Sequence, residues 1–213
     1  LEAGAKIDTR DDLGQTPLIV AAGNNPNDLV LNALIDAGAD VSEKDNFGIT
    51  PLLHAAWKNP NTSIIDLLLA SGANPHSRNT LGATPLMQAA RGNTNPLIIL
   101  SLLDAGASID AFDKDGMNAL MIASKHNNSL EMISILLQFS NDIDRRDSRG
   151  LTALMHACEH TDNPEIIAEL LMNGADATLS DVHGKTAIDY AIENSSVHDS
   201  AAFSKLQEAG SGS

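Results

Sequence analysis

The sequence predicts an all-α solenoid, a stack of helix-turn-helix units with turn-rich fingers projecting between them. Three observations support this prediction: a 34-residue period, two apolar helical patterns in each period, and capping residues at the expected helix ends. The period is marked by glycines 34 residues apart: Gly14, Gly48, Gly82, Gly116, Gly150 and Gly184. Two residues after each glycine comes one of Thr16, Thr50, Thr84, Asn118, Thr152 and Thr186. Six matches in one register indicate a repeat rather than chance.

The first helix of each unit, helix A, is predicted by a Leu-x-x-Ala-Ala motif whose apolar residues share one helical face. The motif begins at Leu18, Leu52, Leu86, Leu120 and Leu154, with Ser124 or Cys158 as its last residue in the final two units. The second helix, helix B, is predicted by apolar pairs four residues apart, such as Ile64 and Ile65 with Leu68 and Leu69. Small residues on helix A allow neighbouring helices to approach closely.

Capping residues mark the ends of helix B. A good N-cap residue precedes the helix in five units: Asn27, Asn61, Asn95, Ser129 and Asn163. Such side chains accept hydrogen bonds from backbone N–H groups that the first turn leaves unpaired. Pro96 and Pro164 follow at the first helical position, where proline's missing N–H does no harm. A glycine suited to a left-handed conformation follows the helix at Gly38, Gly72, Gly106 and Gly174.

The unit that begins Gly48-Ile49-Thr50-Pro51-Leu52 and ends near Gly72-Ala73-Asn74 closely resembles the ankyrin repeat. The resemblance covers nearly the whole chain and implies an ankyrin-repeat solenoid with β-turn fingers. It implies a single domain over residues 1–209, with a flexible tail or linker at 210–213. The expected divisions are a partial unit at 1–13, full units at 14–47, 48–81, 82–115, 116–149 and 150–183, and a capping unit at 184–209.

Some positions depart from the family pattern. Each unit is one residue longer than the usual 33, and the extra residue lies in the loop between the helices, where added length costs little entropy. The family histidine is displaced by one position, to His54 and His156, so its hydrogen bond to threonine is not carried over. The unit from Gly116 lacks Thr-Pro and replaces the Gly-Ala after helix B with Ser140-Asn141, which predicts the least regular unit.

Composition limits the classes of function. The net charge of −15 and the scattered 13 basic residues disfavour nucleic acid and anionic membranes and favour a basic protein or peptide partner. Only 3% of residues are aromatic, and no nucleotide-binding motif occurs, so we expect no cofactor and no enzymatic activity. We also expect the chain to be monomeric. The lone Cys158 excludes an intramolecular disulfide. This favours a reducing cytoplasm and leaves secretion open.

One segment matches a catalytic motif. His156-Ala157-Cys158-Glu159-His160 fits HxxEH, in which two histidines bind zinc beside a catalytic glutamate. A zinc-dependent hydrolase through His156, Glu159 and His160 is therefore an alternative. The repeat pattern explains the same residues as an ordinary helix A, however, and a hydrolase also needs a third protein ligand and a cleft. We expect no bound metal and an inert, buried Cys158.

The candidate partner-binding surface combines two variable rows. One row lies on helix A opposite the Leu-Ala-Ala face: Gly23, Trp57, Arg91, Lys125, Glu159 and Glu193. The other flanks the fingertip glycines and is largely apolar. In ankyrin repeats these rows form the concave binding face, so the resemblance implies contacts from Leu13, Phe47, Ile49, Trp57, Leu81, Arg91, Met117, Lys125 and Leu151. Two alternatives remain: the fingertip residues pack only against neighbouring fingers, or the chain is a structural spacer without a specific partner.

Overall fold

The computed structural model describes residues 6–210, which form thirteen helices. Residues 1–5 of the predicted partial unit and 211–213 of the predicted tail lie outside this range, whereas Gly210 ends the last helix. Between residues 6 and 210 no strand forms, and Ser180 and Thr186 make an isolated antiparallel bridge. The all-α prediction is confirmed.

The chain divides into two compact units, one ending at Ser108 and the other beginning at Ile109. The helices of the first unit are α1 (Pro17–Asn24), α2 (Asp28–Asp36), α3 (Pro51–Lys58), α4 (Thr62–Ala70), α5 (Pro85–Gly92) and α6 (Leu97–Asp104). The helices of the second are α7 (Ala119–His126), α8 (Leu130–Phe139), α9 (Ala153–His160), α10 (Glu165–Met172), α11 (Ala187–Glu193), α12 (Ser195–His198) and α13 (Ala201–Gly210). Helix B of the last repeat is therefore replaced by two helices, α12 and α13.

Helices of the same kind pack side by side within each unit. In the first unit α3 lies between α1 and α5, and α4 lies between α2 and α6. In the second, α9 lies between α7 and α11, and α10 contacts α8 and α13. Because α3 has neighbours on several sides, all residues from Pro51 to Ala56 are buried. The core is built mainly from Leu, Ile, Met and Ala.

Helix A is capped, in α1, α3, α5 and α9, by the threonine that follows the fingertip glycine by two residues. Thr16, Thr50, Thr84 and Thr152 each accept a hydrogen bond from the backbone N–H three residues later. Asn118 does the same for Met121 at 2.9 Å, so the unit from Gly116 keeps a capped helix A although it lacks Thr-Pro.

Helix B also follows its predicted caps. The side chains of Asn95 and Asn163 accept hydrogen bonds from Leu97 and Glu165, although α6 and α10 begin one residue after Pro96 and Pro164. After the helix, Gly38, Gly72, Gly106 and Gly174 all have positive φ angles. At Gly72 the backbone N–H groups of Gly72 and Ala73 bond to the carbonyls of Leu69 and Leu68, which completes the terminal motif.

The end of α8 differs from the other helix B ends. Ser140, at the glycine position, is extended with φ −71° and ψ 131°, and its N–H bonds to Leu137. The prediction of a less regular unit is thus confirmed at this terminus, whereas the start of α7 is regular.

Asparagines in the inter-helix loop connect successive repeats. Asn59 donates through Nδ2 to the carbonyls of Ala22 and Asn25, at 2.8 and 2.9 Å. Asn93 makes the equivalent bonds to Ala56 and Asn59. Both asparagine side chains are buried. The loop between the helices, which holds the one extra residue of each unit, therefore also supplies hydrogen bonds to backbone carbonyls of the preceding repeat.

The fingers join by backbone hydrogen bonds. The N–H groups of Asn46 and Thr80 bond to the carbonyls of Leu13 and Phe47. Gly48 has φ +74°, and a Cβ there would lie 3.2 Å from the Asn79 Cα. Glycine is therefore required both by its backbone conformation and by the closeness of the next finger.

Candidate functional site

A cleft of about 490 Å³ opens on the first unit beside α3. Apolar side chains from three fingers and from α3 line it: Leu13, Phe47, Ile49, Trp57 and Leu81. Polar side chains that line it include Gln15, Asn24, Asp45, His54, Lys58 and Asn79. The structure therefore brings five of the nine expected contact residues into one concave surface.

Trp57 forms the helical side of this cleft. Its side chain is 38% exposed, and it stands near the end of α3, where the Leu-Ala-Ala face is turned inward. The indole lies against Gly92 on α5, where a Cβ would come within 2.9 Å of Nε1. The Lys58 ammonium lies 4.7 Å from the ring centroid, a cation–π distance. A missing side chain at Gly92 thus makes room for the ring.

The fingertip positions divide into two classes. The residue before the glycine is exposed: Leu13 is 49%, Phe47 55% and Leu81 62% exposed. The residue after the glycine is half-buried at Ile49 and buried at Met117 and Leu151. The backbone N–H of each of these residues donates to the aspartate that begins the turn, and the chain then enters helix A.

The contact set is corrected accordingly. Met117 and Leu151 are 7% and 1% exposed and present no surface to a partner. In the second unit the position before the glycine holds charged residues, Asp115 and Arg149. Arg91 is exposed on α5 and Lys125 is half-buried on α7, and neither lines the cleft.

Gly23, which the sequence places in the same variable row as Trp57, is buried beneath His54. The His54 Nδ1–H donates to the Ile19 carbonyl at 2.8 Å, because a carbonyl can only accept. Burial lowers the pKa of His54, which keeps its ring neutral near pH 7. The hydrogen-bonded His54 ring therefore lies between α1 and the cleft.

A second cluster involves the fingers of the other unit. His156 is fully buried, and its Nε2 lies 3.0 Å from Asp147 Oδ2. Burial opposes ionisation of Asp147, but hydrogen bonds from His156 and from the backbone of Leu151 and Arg149 hold its pKa below the ordinary value. Tyr190 takes the place of His156 in the next repeat and donates to Asp181 at 2.7 Å. A finger aspartate paired with a helix A side chain is thus a recurring feature.

The HxxEH residues lie on one face of α9. Glu159 and His160 are each about one-third exposed, and the His160 Nε2 lies 3.1 Å from Glu159 Oε2. Burial lowers the pKa of His160. Glu159 acts to raise this pKa, whereas the positive charge of Lys125 lowers it further. One ring nitrogen of each histidine and one oxygen of Glu159 lie within 4.8 Å of one another. Neighbouring Cys158 is fully buried, and burial raises the pKa of its thiol, so it is no reactive nucleophile.

Two family models for ankyrin repeats match the chain. One, described as three copies of the repeat, matches residues 1–79 and 53–147, and one described as many copies matches residues 136–191. A search of curated proteins finds no match. Over residues 6–210, none of the helices combines the length and the apolar character needed to cross a bilayer.

Proposed function

The chain belongs to the ankyrin repeat family, whose members generally bind other proteins, and on that premise we propose a non-catalytic module that binds a protein or peptide in the cleft beside Trp57. One observation carries the proposal: three exposed apolar fingertips, Leu13, Phe47 and Leu81, surround a partly exposed tryptophan. Isolated exposed hydrophobes are common, whereas a concave cluster with a tryptophan is typical of an interface.

The cleft suits an apolar anchor from a partner. Trp57 and the fingertips supply apolar walls, while Asn24, Gln15 and Asn79 supply hydrogen-bonding groups at the margin. The net charge of −15 favours basic residues flanking that anchor, because opposite fields speed encounter. Lys58 lines the cleft and would repel a basic side chain inside it. We therefore propose that the basic residues of the partner contact the protein surface around the cleft.

Peptide selection tests this proposal. A displayed random-peptide library is panned against the whole chain, and affinities of the selected peptides are measured by the emission of Trp57, the only tryptophan. Leu81→Ser and Phe47→Ser should each weaken binding by roughly tenfold or more, because both remove apolar surface that lines the cleft. Their folding should change little, since both side chains are more than half exposed.

Leu29→Ser is the matched control. Leu29 is 70% exposed on α2 and does not line the cleft, so the same chemical change there should leave affinity unaltered. Selected peptides that bind both variants and the control equally would contradict the cleft as the binding site. Failure to select any peptide would favour a structural spacer.

A further inference from the structure

A metal site lies within the residues of α9. We propose that His156 through Nδ1, Glu159 and His160 together bind one Zn²⁺ ion. The repeat pattern explains these residues as part of an ordinary helix A, and the sequence therefore predicts no metal. The side-chain arrangement supports the opposite conclusion, and the site is independent of the cleft beside Trp57.

The first support is the unpaired nitrogen of His156. Asp147 Oδ1 accepts the backbone N–H groups of Arg149 and Leu151, and Oδ2 accepts from His156 Nε2. A carboxylate can only accept, so Nε2 carries a proton, and in the neutral ring Nδ1 then keeps its lone pair. Nδ1 is buried and has no hydrogen-bond partner. A buried lone pair on imidazole is costly unless it accepts a hydrogen bond or binds a cation.

The second support is the carboxylate behind the imidazole. Metal-binding histidines almost always donate their other N–H to a carboxylate or carbonyl, which fixes the tautomer and the ring orientation. Asp147 provides this contact to His156, at 3.0 Å and with both groups almost fully buried. His156 is therefore held ready as a ligand, and Asp147 is its positioning residue.

The third support is the placement of the other two ligands. One ring nitrogen of each histidine and one oxygen of Glu159 lie within 4.8 Å of one another, whereas tetrahedral zinc needs separations of roughly 3.3 Å. Glu159 and His160 can close this gap by changing rotamer, because their side chains are about one-third exposed. Two nitrogens and one carboxylate oxygen suit Zn²⁺, and water would complete the coordination.

Charges around the cluster have opposing effects. Lys125 and Arg149 both act electrostatically on His160 and oppose a second cation. Glu159 and Asp147 are anionic groups in or beside the site and offset them. With Glu159 serving as a ligand, the motif has no remaining carboxylate to act as a general base, so zinc binding does not imply hydrolysis.

The experiment uses the whole chain without a histidine tag and zinc chloride alone. Elemental analysis and calorimetry should give one ion per chain. Glu159→Gln and His160→Ala should each reduce affinity roughly tenfold or more. His156→Tyr should abolish binding while retaining the fold, because Tyr190 makes the same bond to Asp181 in the next repeat.

Asp147→Asn tests the positioning role. Asn79 occupies the equivalent place in another finger and accepts from Leu81 and Ala83, so the turn should survive. An asparagine Nδ2 would donate to His156 Nε2, which moves the ring proton to Nδ1 and removes the ligand. Zinc affinity should fall about 10- to 100-fold. Nitrogen-15 spectra of the histidines should show the proton on Nε2 of His156 before zinc is added and a shift of Nδ1 afterwards.

His198 is the matched control, since it is exposed and lies 3.1 Å from Asp199. His198→Ala should leave zinc affinity unchanged. The proposal is overturned if no saturable binding occurs, if His156→Tyr binds as well as the wild type, if zinc shifts Nε2 of His156 instead of Nδ1, or if His198→Ala removes the binding.

Discussion

At the residue scale, two glycines determine how two rings lie. A Cβ on Gly23 would meet the His54 ring at 2.6 Å, and a Cβ on Gly92 would meet the Trp57 indole at 2.9 Å. The consequences differ because His54 is buried and bonded to Ile19, whereas the indole is partly exposed. The same substitution therefore has a different effect at each site.

Gly23→Ala should destabilise the protein by about 1–2 kcal/mol, because overpacking against the fixed imidazole exceeds the gain in helix propensity. Gly92→Ala should change the free energy of unfolding by less than about 1 kcal/mol. It should also push the indole outward and shift the emission of Trp57 to longer wavelength. Chemical denaturation and fluorescence spectra measure both effects. Equal loss of stability in the two variants would contradict this account.

At the element scale, helix ends differ more than helix interiors. The helix A starts at α1, α3, α5, α7 and α9 are all capped by a side chain, including Asn118 at α7. The helix B ends are not equivalent, because α4 ends in a left-handed glycine with two carbonyls satisfied while α8 ends in extended Ser140. Helix termini without such a motif fray more readily, since their last carbonyls lack partners within the chain.

Hydrogen exchange should locate this difference. Amides over residues 118–147 should exchange faster than those over residues 50–80, with the largest contrast between the ends of α8 and α4. Near the capped start of α7 the contrast should be smallest. Amide exchange followed by mass spectrometry measures the rates, and equal or slower exchange at the end of α8 would disprove the prediction.

Gly72→Ser is the control for the cause. A Cβ at Gly72 meets no atom within 4 Å, so the substitution changes only the backbone preference at φ +93°. It should cost about 1–2 kcal/mol and raise exchange at the end of α4 towards that of α8. If exchange there is unchanged, the left-handed glycine is not the cause of the difference.

At the scale of the whole molecule, the two compact units each contain a natural probe. Trp57 is the only tryptophan and lies in the first unit, and Cys158 is the only cysteine and lies buried in the second. Repeat proteins can open one part before another because each repeat contacts only its neighbours. The irregular end of α8 belongs to the second unit, which we therefore expect to open first.

In urea, Cys158 should become reactive to a thiol reagent below the midpoint of the Trp57 transition. If the irregular end of α8 lowers the free energy of unfolding of the second unit by about 1 kcal/mol, the two midpoints should differ by about 0.5 M urea. Parallel titrations followed by thiol labelling and by tryptophan emission measure the two midpoints. Coincident midpoints, or an earlier Trp57 transition, would show that the α8 terminus does not determine the order of unfolding.

The sequence by itself determined the period, the helix positions and almost all of the caps. These features follow from rules that act within one turn or one helix, such as Asn61 accepting from Ser63 or Gly72 taking a positive φ angle. The sequence also placed Leu13, Phe47, Ile49, Trp57 and Leu81 on a common surface, because the repeat carries each register position to the same place in successive units.

Only the tertiary structure decided which residues are exposed and which side chains meet. Ile49 and Leu151 both follow a fingertip glycine, yet the first is half-buried and lines the cleft whereas the second is buried. Asn59 reaches Ala22, 37 residues away, and the finger residue Asp147 orients His156 on α9. Such contacts depend on how closely neighbouring repeats and fingers approach one another, and local propensities do not determine that separation.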